Sequence, residues 1–164
     1  FTDYARPDVP EPSPVELGPL LQQLVARFKN DPRLRLSIDL SGPAVALADP
    51  TDLQRVLANL VENAARYGRR SQGEPAEVVV RGRARSDGIE ISVSDRGPGV
   101  PPAQLGQLTQ PFFRGNAART EASGAGLGLA IVEKAVHRMK GELAFRNLSP
   151  QGLEVSIVLP RASD

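Results

Sequence analysis

The chain of 164 residues is 40% hydrophobic and has a formal net charge of +1, a composition that suits one globular domain with a buried core. The near-neutral charge argues against broad nucleic-acid binding, which needs a basic face. The absence of cysteine excludes disulfides and thiolate metal sites, and fits a reducing compartment. No apolar run approaches the ~20 residues of a membrane span, and no signal-peptide pattern opens the chain.

The first predicted elements are a linker, a helix and two strands. Four prolines among the first 14 residues indicate an extended linker over residues 1–15, followed by one folded domain over residues 16–164. Apolar residues recur at helical spacing in 16–29 and predict an amphipathic helix. Strict apolar and polar alternation predicts a half-buried strand over 34–40. A shorter strand, 44–48, is expected to pair with it across a Ser-Gly-Pro turn.

The middle of the chain predicts a second helix followed by a hairpin. Asp49 can cap this helix, a proline follows in its first turn, and Gly68 ends it, so that the helix is expected over residues 50–67. Residues 78–83 and 89–94 predict two strands joined by a turn that ends in glycine.

The last third of the chain predicts a long loop, a helix and two strands. Residues 100–125 have little periodicity, and loops of that length in compact domains often act as functional lids. A helix is expected over 126–139, and strands over 141–147 and 153–159. About three helices and five strands, with few βαβ alternations, predict an α+β fold: a two-layer α/β sandwich with the helices on one face of a mixed sheet.

The second predicted helix carries an unusual polar flank. Asn59, Asn63 and Arg66 fall within an arc of roughly 60° beside the apolar stripe, with Tyr67 at its border. Asparagine is a poor helix former, so two of them in mid-helix suggest a function. A magnesium ion with bound phosphates would suit these groups, since Mg²⁺ takes few protein oxygens. The alternative is an ordinary solvated flank.

Three further segments have both a structural and a functional interpretation. DRGPGV (95–100) is either a tight turn or a carboxylate at a strand end with room for a flat ring beside it. PFFRG (111–115) is either packing with a solvated charge or an arginine that reaches phosphate. SGAGLGL (123–129) is either a mobile loop or an anion cradle at a helix start. Its spacing differs from the P-loop and dinucleotide-binding patterns.

Four ordered motifs resemble the N, G1, F and G2 boxes of the ATP-binding catalytic domain of sensor histidine kinases: NLVENAARY (59–67), DRGPG (95–99), PFFRG (111–115) and GAGLGLAIV (124–132). This domain belongs to the GHKL superfamily, and the resemblance covers about residues 16–160. It implies the Bergerat type of α/β sandwich, with ATP and Mg²⁺ as ligands. Residues 1–15 resemble the end of the dimerisation helices that precede this domain in the family.

The resemblance implies a role for each matching residue. Asn63 would be the Mg²⁺ ligand, Asn59 would lie beside the phosphates, and Arg66 would contact them. Tyr67 would cover the adenine face, and Asp95 would accept from the adenine amine. The implied catalytic residues are Asn59, Asn63, Arg66 and Arg114, and the other implied nucleotide-binding residues are Gly97, Gly99, Val100, Arg119, Gly124, Gly126, Leu127 and Gly128.

Asn59 also bears on the type of reaction. The ATP-hydrolysing and serine-kinase members of the superfamily that this chain resembles carry a general-base glutamate at the position equivalent to Asn59. An amide cannot take a proton, whereas a neutral imidazole nucleophile needs no such base. Asn59 therefore favours transfer to histidine. Glu62, about 100° around the helix from Asn63, is expected to be a surface residue.

The single histidine, His137, is expected to be an ordinary polar-face residue, because the sequence around it lacks the motif of the family's phospho-acceptor. The acceptor is therefore expected upstream, on a dimerisation domain. The resemblance implies transfer of the γ-phosphoryl group of Mg-ATP to that histidine, and onward signalling to a response regulator. It also implies a membrane-anchored homodimer, with this domain cytoplasmic and monomeric when isolated. The alternatives are a stand-alone ATPase or serine kinase of the same fold, and a nucleotide-sensing module that binds ATP without transfer.

Overall fold

The computed structural model describes residues 12–108 and 125–162, with side chains in the second range from residue 129 onward. These residues form three α-helices, one 3₁₀-helix and seven β-strands. The helices are α1 (Leu17–Phe28), α2 (Pro50–Tyr67), the 3₁₀-helix (Pro102–Gln107) and α3 (Ala125–Arg138). The strands are β1 (Ser13–Glu16), β2 (Leu34–Ser41), β3 (Val45–Ala48), β4 (Ala76–Arg85), β5 (Gly88–Ser94), β6 (Glu142–Asn147) and β7 (Leu153–Leu159).

Five strands form one mixed sheet in the order β2-β4-β5-β7-β6. β2 runs parallel to β4, and the other three pairings are antiparallel. Alternate residues of β7 are buried and contribute to one continuous core with the helices. The opposite face carries polar side chains, including Arg81, Glu154 and Ser156. The predicted α+β sandwich with helices on one face of a mixed sheet is therefore confirmed.

The predicted pairing of the 44–48 strand was wrong. β3 pairs antiparallel with β1 in a separate two-stranded sheet, in a register that runs from Ser13 opposite Ala48 to Glu16 opposite Val45. β2 instead pairs in parallel with β4, which requires a long crossover connection, and α2 lies in that connection. β1 was not predicted because it contains Pro14 and lies in a proline-rich segment. Proline is tolerated in an edge strand, where its missing N–H costs no ladder bond.

α2 forms where the local signals predict it. The Asp49 side chain accepts a hydrogen bond from the backbone N–H of Asp52 at 3.0 Å, which caps the helix. Such caps contribute about 1 kcal/mol. Gly68 ends the helix and donates its N–H to the Ala64 carbonyl oxygen at 2.7 Å. The bounds 50–67 were predicted correctly because both ends depend on residues next to them in the chain.

The long loop predicted over 100–125 is described only in part. Its first residues form the 3₁₀-helix, and Leu108, which follows that helix, is buried in the core. Residues 109–124 lie outside the described part of the chain. Among the helices of the described residues, none has the length and apolar character needed to span a bilayer.

Candidate functional site

The polar flank of α2 lies at the edge of the core. Asn59 and Asn63 are half-buried, Arg66 is exposed, and Tyr67 is buried. Because α2 is continuous from Pro50 to Tyr67, these side chains follow one another at successive turns. The helix therefore places two partly accessible amides and one guanidinium on the same flank, as the sequence predicted.

Asp95 follows β5 directly, and its carboxylate is fixed by backbone donors. The residue is 5% exposed. Its Oδ1 accepts from the N–H of Gly97 at 2.8 Å and from the N–H of Leu153 at 3.3 Å. The Asp95 backbone N–H in turn donates to the Leu153 carbonyl oxygen at 3.0 Å. The carboxylate thus lies at the end of a strand, where the sequence predicted it. The loop at Gly97 and strand β7 at Leu153 both hold it in place.

Gly97 and Gly68 bring the 95–100 loop against the end of α2. A Cβ at Gly97 would lie 2.6 Å from the Gly68 Cα and 2.7 Å from the Tyr67 carbonyl oxygen. A Cβ at Gly68 would lie 2.6 Å from the Cβ of Asp95. Only glycine permits so close an approach of two backbones. The two glycines therefore place Asp95 against the C-terminal end of α2.

The sequence did not reveal this role of Gly68. Its position after a helix is explained equally well by helix termination, so no local signal distinguishes the two roles. The contact joins Gly68 to residues in a loop almost thirty positions later, and only the folded chain shows it.

Asn147 holds the other end of the same loop. Its side-chain Oδ1 accepts from the N–H of Val100 at 3.0 Å, and its Nδ2 donates to the Val100 carbonyl oxygen at 2.6 Å. Gly99 adopts a φ of 74°, and a Cβ there would lie 2.7 Å from Asn147 Oδ1. Val100 itself is buried. The sequence did not single out Asn147, because it lies 47 residues from its partner and belongs to no motif.

The loop between β6 and β7 supports the 95–100 loop from outside. Gln151 donates from Nε2 to the Arg96 carbonyl oxygen at 2.7 Å. A Cβ at Gly152 would collide with the carbonyl oxygen of Asp95. Together with Asn147, these residues fix the backbone that carries Asp95, Gly97 and Gly99.

Glu62 is not the simple surface residue that the sequence predicted. Its side chain is 34% exposed and accepts from both terminal nitrogens of Arg33, at 2.6 and 2.8 Å. It also accepts from Arg66 Nε at 2.9 Å. The hydrogen bonds from Arg33 lower the pKa of Glu62 to about 2, with a smaller contribution from Arg66. The helical angle placed Glu62 correctly off the Asn flank, but it could not reveal the long-range partner.

Asp31 completes this charged cluster. Its carboxylate accepts from the side chain and from the backbone N–H of Arg33. These hydrogen bonds lower the pKa of Asp31 to about 2. The two carboxylates raise the pKa of Arg33 above its already high value, chiefly through the hydrogen bond to Glu62.

The remaining predicted residues lie at or beyond the limits of the described chain. Arg114, Arg119 and Gly124 are outside the described residues. Gly126, Leu127 and Gly128 lie in the first turn of α3, where backbone N–H groups have no partner within a helix. His137 is exposed in the last turn of α3, as expected of a polar-face residue.

Comparison with known proteins identifies a family and related sensor kinases. Residues 48–163 match the family model described as histidine kinase-, DNA gyrase B-, and HSP90-like ATPase. The chain is 38% identical over 120 residues to the sensor histidine kinase CpxA of Escherichia coli strain K12, an alignment that covers 73% of this chain and 25% of CpxA. The chain thus spans about a quarter of that relative.

Solved structures give the same result. The mycobacterial sensor histidine kinase MprB superimposes with a TM-score of 0.78 at 27% identity, over 93% of this chain and 100% of that one. Full-length ShkA in complex with AMPPNP superimposes with a TM-score of 0.76 at 28% identity, over 94% of this chain and 32% of that one. The family model covers well over half of the sequence, and the motifs and fold agree with it. The chain therefore belongs to the histidine kinase-, DNA gyrase B- and HSP90-like ATPase family, as an ATP-binding domain of the histidine-kinase type.

Proposed function

We propose that this chain binds Mg-ATP between the polar flank of α2 and the 95–100 loop, and serves as the catalytic domain of a sensor histidine kinase. The observation that carries the proposal is the close packing of Gly68, Gly97 and Asp95. This packing places a fixed carboxylate against the C-terminal end of the helix whose flank bears two amides and a guanidinium.

Asp95 is suited to recognise the adenine base. Two backbone N–H groups hold its Oδ1, so the carboxylate has one orientation. Its burial strengthens any hydrogen bond that it accepts from a ligand amine, because the local dielectric is low. Gly97 and Gly99 let the loop that carries Asp95 pack closely against Gly68 and Asn147. Tyr67 would cover the face of the base.

The α2 flank is suited to hold Mg²⁺ and phosphates. The described residues contain no group of three or more Asp, Glu, His or Cys side chains able to hold a metal. Asn63, with Asn59 one turn earlier, offers amide oxygens, which suit an ion that keeps waters and phosphate oxygens as its other ligands. When bound, the ion would offset charge on the transferring phosphoryl group. Arg66 would contact the phosphates from the next turn, and Arg114 and Arg119 would add cations at the γ-phosphate.

Transfer to histidine is favoured over hydrolysis. The α2 flank presents amides at Asn59 and Asn63, which cannot act as a general base. Glu62 is the neighbouring carboxylate, and both of its oxygens already accept hydrogen bonds from Arg33. A neutral imidazole nucleophile needs neither group as a base.

The wider role follows from the relatives, of which this chain spans only a part. CpxA and MprB are sensor histidine kinases by name. We infer that the acceptor histidine lies on a dimerisation domain of the same protein and that the phosphoryl group passes to a response regulator. The full protein would then be a membrane-anchored homodimer with this domain in the cytoplasm.

Calorimetric titration with the ATP analogue AMPPNP, with and without Mg²⁺, tests nucleotide binding. Wild-type chain is expected to bind more tightly with Mg²⁺. Asn63→Ala should remove this magnesium dependence, and Asp95→Asn should weaken binding under both conditions. Asp39→Asn, on the polar face of the sheet, is the matched control and should bind like the wild type. A folded chain that binds no nucleotide would contradict the proposal.

A second measurement separates transfer from the alternatives. In the full-length protein, labelled ATP should yield acid-labile, base-stable phosphohistidine, and Asn63→Ala should abolish it. Steady phosphate release without phosphohistidine would indicate an ATPase. Tight Mg-ATP binding with neither product would indicate a nucleotide-sensing module.

A further inference from the structure

Four charged side chains form a continuous row from the loop before β2 to the flank of α2. Asp31 accepts from Arg33 Nε at 3.0 Å and from its Nη2 at 2.7 Å. Arg33 donates from both terminal nitrogens to Glu62, and Glu62 accepts from Arg66 Nε at 2.9 Å. The row alternates in sign and is neutral in sum.

The two arginines of this row are used differently. All three side-chain nitrogens of Arg33 donate to carboxylates. Arg66 donates through Nε, and its two terminal nitrogens make no hydrogen bond within residues 12–108 and 129–162. A pair of terminal guanidinium nitrogens can bind phosphate oxygens in a bidentate, end-on manner. Glu62 therefore fixes Arg66 by the one nitrogen that such a contact does not need.

We propose that Arg33, through Glu62, is a positioning residue that holds the Arg66 guanidinium ready for the nucleotide phosphates. This inference rests on the proposed function, since it requires that Arg66 contact phosphate. Asp31 has the same role one step further away, because it fixes the orientation of Arg33.

The strength of the contacts shows why Glu62 alone would be insufficient. A single i,i+4 pair between partly exposed side chains is weak. The Arg66 side chain is 41% exposed and that of Glu62 is 34% exposed. The paired hydrogen bonds from Arg33 hold the carboxylate from outside the helix and in one plane.

The test compares a triphosphate ligand with a ligand that has no phosphate. AMPPNP, with Mg²⁺, and adenosine are titrated into wild type, Arg33→Ala and Arg35→Ala, and Kd is obtained from chemical-shift changes. Arg35, in β2, is the matched control. It forms an exposed ion pair with Glu77 of β4, in which Nη1 and Oε2 are 3.5 Å apart. Arg33→Ala is expected to weaken the binding of AMPPNP about 3- to 10-fold, because the long side chain of Arg66 must then be ordered when the ligand binds. Adenosine binding should be unchanged, and Arg35→Ala should match the wild type with both ligands.

A double-mutant cycle tests whether Arg33 acts through Arg66. The double variant Arg33→Ala with Arg66→Ala should bind AMPPNP no more weakly than Arg66→Ala alone. If Arg33→Ala fails to fold, Arg33→Lys takes its place, because lysine keeps the charge but cannot hold two carboxylates with one planar fork. A smaller, equally selective loss is then expected.

Three results would overturn the inference. An equal loss for adenosine and AMPPNP would show that Arg33 only stabilises the fold. Additive losses in the double variant would show that it acts independently of Arg66. Wild-type affinity for AMPPNP in Arg33→Lys or Arg33→Ala would show that it has no role in binding. A wild-type chain that binds neither ligand would contradict the proposed function itself, which is a separate outcome.

Discussion

The side-chain amide of Asn147 pairs with both backbone polar groups of Val100, accepting from the N–H at 3.0 Å and donating to the carbonyl oxygen at 2.6 Å. The Asn147 side chain thereby makes the pair of hydrogen bonds that a neighbouring strand would otherwise make with the backbone of Val100. The loop that it holds carries Asp95, Gly97 and Gly99. The geometry of the proposed adenine pocket therefore depends on a residue of β6 that lies in none of the four sequence motifs.

Asn147→Ala is expected to destabilise the chain and to weaken nucleotide binding. It removes both hydrogen bonds and leaves buried backbone groups of Val100 without these partners, which costs about 1–3 kcal/mol for such groups. Chemical denaturation gives the loss of stability, and titration with AMPPNP gives the loss of affinity. Asn30→Ala, at an exposed asparagine, is the control and should change neither. Wild-type stability in Asn147→Ala would mean that water replaces the amide without cost.

Gly97→Ala is expected to separate the 95–100 loop from α2. The new Cβ would lie 2.6 Å from the Gly68 Cα and 2.7 Å from the Tyr67 carbonyl oxygen, and backbone atoms cannot move aside as a flexible side chain can. The expected cost is about 1–3 kcal/mol of stability, typical of overpacking, with a marked loss of AMPPNP affinity.

Gly106→Ala is the matched control for Gly97→Ala. A Cβ at Gly106 would meet no atom within 4 Å among the described residues, and its φ is not in the left-handed region. Alanine there should be neutral or should stabilise by about 0.4–1 kcal/mol, because it restricts the unfolded chain. Equal effects of the two substitutions would show that the close approach at Gly97 is unimportant.

The sequence predicted best those features that depend on neighbouring residues. α2 has the predicted bounds because its cap, Asp49, and its stop, Gly68, act within a few residues of the helix ends. The strand-end position of Asp95 was predicted for the same reason, since β5 has a clear apolar pattern and DRGPG follows it directly. The family resemblance supplied the expected roles of these residues.

Features that join distant parts of the chain could not be predicted in this way. β1 pairs with β3 although Pro14 suggests a linker, because an edge strand tolerates a proline. The Asn147 contact with Val100 spans 47 residues, and that between Arg33 and Glu62 spans 29. In each case tertiary packing determines which residues meet. The periodic pattern of a single sequence reports local structure and does not reveal such pairs.

Bound nucleotide is expected to stabilise the chain in a magnesium-dependent way. A ligand that binds only the folded state, at 100 times its Kd, adds about 2.7 kcal/mol. Thermal unfolding should therefore shift upward by several degrees with AMPPNP and Mg²⁺, and EDTA should reverse most of the shift. In Asn63→Ala, EDTA should change the unfolding temperature measured with AMPPNP and Mg²⁺ very little. A shift that is insensitive to EDTA in the wild type would contradict a metal-assisted site.

The cluster around Arg33 is expected to contribute stability at neutral pH and none in strong acid. Hydrogen bonds from Arg33 lower the pKa of Asp31 and that of Glu62 to about 2 in the folded chain, whereas both groups titrate near ~4 when unfolded. The unfolded chain therefore binds more protons between these values, so the stabilisation is fully present above about pH 5 and is lost as the pH falls from about 4 through about 2.

The difference in free energy of unfolding between wild type and Arg33→Ala measures this contribution. It should be constant above about pH 5, shrink between pH 4 and pH 2, and approach zero below that range. Urea denaturation at a series of pH values gives this difference directly. Arg35→Ala, which breaks an exposed pair with Glu77, should show no such pH dependence, because exposed ion pairs contribute little. A difference between wild type and Arg33→Ala that does not change with pH would show that Arg33 acts through packing of its stem rather than through the two carboxylates.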